Sequence, residues 1–249
     1  MNRIANAFQY KALITHITAG DPDIATSEQL IYALEEAGAD MIEIGIPFSD
    51  PVAEGPVIQA ASLRSLENGC TTDKLFEMVG RVRPNVKIPL LFMTYINPIF
   101  VYGQERFLKN CAKYGIDGIV VPDLPFEEKG EIEGDCIKHG ICLISMIAPT
   151  SDNRIERIAK GAHGFLYAIA PPESLEPMLR KAYAATPLPS AAGFDISTPE
   201  EAHRFAALAD GVIVGSAIVK LIEQHGKNSV APVKQLVQDI RKRLGDGAV

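Results

Sequence analysis

No run of apolar residues in this chain is long enough to cross a bilayer. The opening Met1-Asn-Arg-Ile-Ala-Asn-Ala-Phe8 is amphipathic but has neither the apolar stretch nor the cleavage site of a secretory leader. A cytoplasmic address is expected on that ground. Cysteine is scarce: Cys70, Cys111, Cys136 and Cys142 form no Cys-x-x-Cys pair and sit in helix-like or strand-like contexts. Buried, reduced thiols are the expected state. There is no stripe of basic residues either. The formal net charge is −7, and the one basic run, Arg241-Lys242-Arg243, reads as a helix C-terminus favoured by its dipole. Nucleic acid is therefore not an expected partner. The histidines, His16, His139, His163, His203 and His225, lack metal-ligand spacing. With no nucleotide fingerprint as well, neither a metal nor a cofactor is expected.

Apolar residues make up 47% of the 249, enough for a large core, and α/β barrels of about 250 residues commonly stand alone. Eight short β-like runs alternate with helix-like stretches, at 12–18, 41–45, 88–95, 118–121, 142–147, 164–169, 188–192 and 211–214. Most are nearly continuous apolar segments, as strands covered on both faces should be. Between them apolar residues recur at helical spacing, as in Leu30, Ala33, Leu34 and Ala37. Gly38 and Gly115 fall where helices should end. Asp123-Leu-Pro125 with Glu127 and Glu128 reads as a loop feeding a helix with acids in its first turn.

Such alternation implies a parallel sheet, and eight strand–helix pairs in this length favour closure. The expected fold class is α/β, a (β/α)8 TIM barrel with an extra N-terminal helix over residues 1–8 plugging its N-terminal end. With no Pro/Gly/Ser linker and no composition shift, residues 1–249 read as a single domain. The connection after strand 2 is the longest, and the one after strand 6 is compact, Ala170-Pro-Pro-Glu173 leading directly into a helix. Barrel chemistry is carried by the loops at strand C-termini, so the long loop after strand 2 draws attention.

Glu43 lies in Met41-Ile-Glu-Ile-Gly-Ile46, a strand with no other polar side chain. If it points inward, its ionised form loses hydration, a condition suited to acid–base work. A core carboxylate held by a salt bridge or backbone donors would look the same in sequence. A strand-embedded Glu feeding a proline-rich loop on the catalytic face favours the functional reading.

The run Ile42-Glu-Ile-Gly-Ile-Pro-Phe-Ser-Asp-Pro-Val-Ala-Glu-Gly-Pro-Val-Ile-Gln59 closely resembles the signature of tryptophan synthase alpha subunits. Further matches span almost the whole chain: Thr18-Ala-Gly-Asp-Pro22, Tyr95-Ile-Asn-Pro98, Pro122-Asp-Leu-Pro125, Ala148-Pro-Thr150, Gly193-Phe194 and Asp210-Gly-Val-Ile-Val-Gly-Ser-Ala217. The resemblance implies retro-aldol cleavage of indole-3-glycerol phosphate to indole and glyceraldehyde 3-phosphate, a step in tryptophan biosynthesis. Glu43 matches the family's acid–base residue. Glu54 stands where many members carry Asp, at the carboxylate that steadies the indole N–H as charge develops. Tyr95 and Tyr167, read as ending inward-facing strands, match residues that flank the substrate. His16 occupies a strand-1 position where the family usually presents an aromatic against the indole; it reads as a satisfied core histidine, the alternative being that it reshapes or polarises the pocket, and no catalytic part is expected of it.

The resemblance weakens at the phosphate. Gly215 and Ser216 after strand 8 fit a phosphate-binding helix N-terminus, with Ser216 also able to cap the helix. Phe194 belongs to the same side. Where the family has Gly-Phe-Gly-Ile, this chain reads Gly193-Phe-Asp-Ile196, setting Asp195 near the dianion. Where the family has a long glycine-containing lid, this chain has Ala170-Pro-Pro-Glu-Ser174, with two fewer N–H donors and a stiffer backbone. These departures are expected to cost turnover.

The resemblance also implies a partner, the beta subunit, which joins indole to serine with its own pyridoxal phosphate. The residues matching the docking surface, Pro47, Phe48, Asp50, Pro51, Asn97 and Pro125, keep the family's type. Three readings remain open: a working alpha subunit, an alpha-like subunit that chiefly binds and activates the beta subunit, and a barrel lyase or aldolase on another substrate. The first is the expectation adopted.

Overall fold

The computed structural model describes residues 3–245. Its eight strands, β1 (Ala12–Thr18), β2 (Met41–Gly45), β3 (Leu90–Met93), β4 (Gly118–Val120), β5 (Cys142–Ile147), β6 (His163–Ala168), β7 (Ser190–Ala192) and β8 (Gly211–Val214), pair in parallel and close in sequence order, β8 against β1. Helix α1 (Arg3–Asn6) precedes the barrel, and α2 (Ile24–Glu36) joins β1 to β2. Two helices, α3 (Pro56–Glu67) and α4 (Thr72–Val82), fill the long β2–β3 connection. Two more, α5 (Ile96–Tyr102) and α6 (Gln104–Tyr114), lie between β3 and β4. The remaining connections carry α7 (Gly130–His139), α8 (Ile155–Lys160), α9 (Pro172–Tyr183) and α10 (Pro199–Ala206). After β8 come α11 (Ser216–His225) and α12 (Val230–Leu244).

Period-2 alternation divides each strand between two cores. Leu13, Ile17, Ile42, Ile44, Leu90, Phe92, Leu166 and Val212 point outward into the layer shared with the helices. Ile14, Met41, Leu91, Val120, Ile144, Phe165, Ala191 and Ile213 point inward and fill the barrel. Ile4 of α1 joins this inner cluster, fully buried, and the Phe8 ring packs 5.3 Å from that of Phe165. Arg3 Nε ties the helix to Asp117 at 2.7 Å. The N-terminal plug is thus present, although Met1 and Asn2 lie outside the described residues and Phe8 follows the helix.

Strand boundaries moved where backbone chemistry differs from apolar content. Pro89 cannot donate to a ladder, and β3 begins after it, at Leu90. It ends at Met93 because the Asp123 carboxylate accepts the Ile96 N–H at 3.0 Å and starts α5, leaving Tyr95 at the helix N-cap rather than in the strand. Asp123 does this from the loop after β4. Glu127 and Glu128 precede α7, whose first turn holds Glu131 and Glu133 instead. Glu127 pairs with Arg154 and Arg157. Gly115 ends α6 in the left-handed region at φ 78°, as expected. Arg241 of the basic run at the end of α12 donates to the Gly38 carbonyl at 2.9 Å and pairs with Asp40, closing the helical ring onto α2. Cys70, Cys111 and Cys136 are buried free thiols, and Cys142 is half-buried.

Candidate active site

A cavity of about 530 Å³ lies at the carboxyl ends of the strands, with Gly193 after β7 and Gly215 after β8 on its wall. Its polar lining is His16 and Glu43 from neighbouring strands, Glu54 from the β2 loop, Tyr167 from β6, Asp195 and Ser216. Met93, Val57, Ile58, Ile169 and Ile213 supply apolar wall, which suits a flat aromatic ligand. Sequence reasoning had not singled out these five. Strand alternation alone could have placed Met93 and Ile213 inside.

Glu43 is 1% exposed in the barrel interior, and its Oε1 lies 2.7 Å from His16 Nδ1. Among the described residues its Oε2 has no hydrogen-bond partner. A buried polar atom without a partner costs on the order of 1–3 kcal/mol, and His16 Nε2 on the same wall also has none among the described residues. The core-carboxylate alternative is thus only half fulfilled: one oxygen is satisfied by His16 and the other is not.

Glu54 is held differently. The Tyr95 hydroxyl donates to the Glu54 carboxylate. The same oxygen accepts the Val52 and Ala53 N–H groups at 3.0 and 2.9 Å. One phenol therefore anchors the whole β2 loop, with Phe48 packed on its ring at 5.3 Å. Tyr95 is 2% exposed and is not among the cavity-lining residues, so it stands behind the loop rather than flanking a ligand. Burial, then the bond to Glu54, pushes its hydroxyl above the usual tyrosine range. Burial, and after it the nearness of carboxyl groups, raises the Tyr167 hydroxyl as well. Both phenols stay protonated and able to donate.

On the opposite wall, Gly215 is the N-cap of α11 and no side chain caps the helix. Ser216 is the first helical residue, so capping is not its part. The N–H groups of that first turn lack helical acceptors, and Gly215 and Ser216, where the helix starts, line the cavity. Phe194 lies at the rim, 47% exposed. Asp195 beside it has φ 48°, the one non-glycine with positive φ among the described residues. Only Ile169, Ala170 and Pro171 separate β6 from α9, which begins with Pro172. The connection is as short as its sequence suggested.

Of the candidate docking residues, Asp50, Asn97 and Pro125 are exposed, and Phe48 and Pro51 are half-buried. Pro47 is buried, set under the loop by its neighbours instead of presented on it. Exposed apolar side chains that sequence reasoning had not named accompany them: Val52 on the β2 loop, and Phe100 and Val101 on α5. In the Thr18-Ala-Gly-Asp-Pro22 segment, Asp21 accepts Arg64 Nε and Nη2 at 2.9 and 2.8 Å, clamping the β1 loop to α3.

Fold and cavity together define a closed (β/α)8 barrel with two carboxylates, Glu43 and Glu54, lining one cavity with the N-terminus of α11. A sequence profile described as tryptophan synthase alpha chain matches residues 4–245. The tryptophan synthase alpha chain of Lacticaseibacillus casei is 42% identical, covering 97% of this chain and 95% of that one. The crystal structure of tryptophan synthase subunit alpha from Legionella pneumophila strain Paris superposes with a TM-score of 0.92. Identity there is 35%, with 99% of each chain covered. A chain of the Pyrococcus furiosus tryptophan synthase complex gives 0.87 at 35% identity, covering 94% of this chain and all of that one. The protein belongs to the tryptophan synthase alpha chain family.

Proposed function

We propose that this protein cleaves indole-3-glycerol phosphate to indole and glyceraldehyde 3-phosphate, as a carbon–carbon lyase of tryptophan biosynthesis. The single observation that carries the reading is Glu43. It is buried at the cavity floor with Oε2 unpartnered, in a chain that is full-length kin to alpha subunits. Glu43 delivers a proton to the ring carbon bearing the glycerol chain. The ring N–H becomes cationic and is stabilised by Glu54. Glu43, now a carboxylate, takes the proton of the hydroxyl on the adjacent carbon. The O–H electron pair forms the aldehyde, the carbon–carbon bond breaks, and its electrons restore the indole ring. Net, one proton passes from hydroxyl to ring carbon and Glu43 ends as it began. The phosphate sits on the amides of Gly215, Ser216 and their neighbours, favoured by the α11 dipole, with Phe194 and Tyr167 flanking the substrate. No cofactor enters these steps. Indole release from indole-3-glycerol phosphate, with and without a cognate beta subunit, tests the reading, and no release in either condition would sink it.

Tyr95 acts on this chemistry through Glu54. A hydrogen bond to a charged group is worth about 1.5–3 kcal/mol, and a carboxylate displaced by ~1 Å can cost about 10²-fold. Tyr95→Phe is expected to lower kcat about 10-fold or more with the fold retained, measured by steady-state indole release and circular dichroism.

The partner is the tryptophan synthase beta subunit, the assembly in which the Pyrococcus furiosus relative was solved. The docking surface is the β2 loop around Phe48, Asp50 and Pro51 together with Asn97 and Pro125. The apolar Val52, Phe100 and Val101 extend it. Asp123, bonded across to α5, holds two of these connections together. Val101→Asp puts a charge on a side chain that is 81% exposed. It should weaken binding to the cognate beta subunit at least 10-fold by titration calorimetry while leaving indole release without beta unchanged. A phosphorylated small-molecule substrate supports a cytoplasmic address for the reaction; among the described residues no helix is long and apolar enough to cross a membrane. The whole chain, 1–249, acts as one barrel domain, a reading supported by closure between β8 and β1.

A further inference from the structure

We infer that His16 is a positioning residue for Glu43: its Nδ1–H holds Oε1 and thereby leaves Oε2 as the one oxygen that exchanges protons with the substrate. The inference rests on the lyase reading above and adds to it a residue of β1 that the steps there do not use.

The register makes the pair. His16 and Glu43 are Cα partners on the adjacent parallel strands β1 and β2, so both side chains point into the barrel at one level. Both are almost wholly buried, 3% and 1% exposed, and Nδ1 lies 2.7 Å from Oε1. Two glycines make room for the imidazole. A Cβ on Gly45 would stand 2.9 Å from His16 Cε1 and 3.1 Å from Nε2, and one on Gly215 would stand 3.3 Å from His16 Cβ. The ring thus fits between β2 and β8 where glycines leave room for it, with Nδ1 turned to Glu43.

A carboxylic acid has two chemically equivalent oxygens, and without a partner its proton can sit on either. Once Nδ1–H donates to Oε1, that oxygen is occupied as an acceptor and the proton passed to the substrate sits on Oε2, the atom without a partner among the described residues. After the proton has gone to the indole, the same Nδ1–H stabilises the carboxylate left behind until the hydroxyl proton returns to Oε2. His16 gains and loses no proton in this cycle. It restrains a side chain that would otherwise rotate about its terminal bond, and geometric restraint of a reacting group appears in kcat rather than in KM.

The test compares two variants with cognate beta subunit present. His16→Phe keeps an aromatic ring of similar size and removes the donor. His16→Asn is smaller but keeps an N–H at about the reach of Nδ1. The expected result is a kcat about 10–100-fold lower for His16→Phe with KM within threefold, and recovery to within about fivefold of wild type for His16→Asn. A packing role alone would rank the variants the other way, since Asn leaves a hole that Phe fills. That ranking, or a wild-type kcat for His16→Phe, would overturn the inference. If the wild-type protein itself releases no indole, the lyase reading fails and the role of His16 in it fails too. An active wild type indifferent to His16→Phe removes only His16.

Discussion

Glu43→Gln should abolish most turnover, lowering indole release from indole-3-glycerol phosphate by about 10²–10⁴-fold, the range that a general acid–base residue contributes. The substitution is close to isosteric. The glutamine carbonyl can still accept the His16 Nδ1–H that now reaches Oε1 at 2.7 Å, so the barrel interior keeps its packing. What disappears is the exchangeable proton on the unpartnered oxygen. Because substrate contacts made by the phosphate and the apolar walls are untouched, KM should change by no more than a few-fold. Single-turnover indole release is the appropriate measurement, since it separates the chemical step from product escape. A fall of less than about 10-fold would remove Glu43 from the centre of the mechanism. Glu54→Gln provides the contrast. It leaves the proton donor intact and removes only the charge facing the ring N–H, so its deficit should be smaller.

Asp195→Gly is expected to tighten substrate binding about 3–10-fold in KM, with kcat within about twofold of wild type. Asp195 lines the cavity together with Gly215 and Ser216, the helix N-terminus proposed for the phosphate. At ~5 Å and an effective dielectric of ~20, each unit-charge repulsion is about 3 kcal/mol. Asp195 is exposed, so solvent and salt reduce this to about 1 kcal/mol, and about 1.4 kcal/mol corresponds to tenfold. The effect should shrink as ionic strength rises, which a change in backbone geometry alone would not produce. Stability should hardly move. Asp195 occupies φ 48°, a left-handed conformation that costs a residue with a Cβ about 1 kcal/mol. The glycine that would relieve it loses about 0.4–1 kcal/mol through the unfolded chain. The two offset, so a KM unchanged or raised at low salt would show that Asp195 is turned away from the phosphate.

The short connection after β6 bears on the same question. Ile169, Ala170 and Pro171 lead from β6 straight to Pro172 at the start of α9, leaving no long segment to fold over the substrate from that side. Water exclusion must come from elsewhere on this face: the β2 loop pinned by Tyr95, or the beta subunit docked beside it. The lyase rate should therefore depend strongly on the partner, and the assay with and without beta subunit reads this as well.

Much of this protein was legible in its residue order, because the features concerned are local or periodic. Alternating apolar runs and amphipathic stretches specified eight strand–helix pairs, and β1, β2, β5 and β8 have the boundaries that apolar content alone suggested. Glu43 stood out as a single carboxylate in an apolar strand. The β2 loop stood out by its length, and Asp195 by the glycine it replaces in the family pattern. What depended on backbone donors was harder to read. Pro89 and the Asp123 carboxylate moved the ends of β3, and Tyr95 with them. Only the closed barrel decided the rest, because it brings together residues far apart in the chain. His16 is paired with Glu43 by the register between β1 and β2 and by the room that Gly45 and Gly215 leave. Tyr95 is turned from a pocket residue into the anchor of Glu54 by reaching 41 residues back along the chain. Burial, register and hydrogen-bond pairing across strands are properties of the assembled sheet. That is why the order of residues named the two carboxylates, and the tertiary structure decided which partners hold each of them.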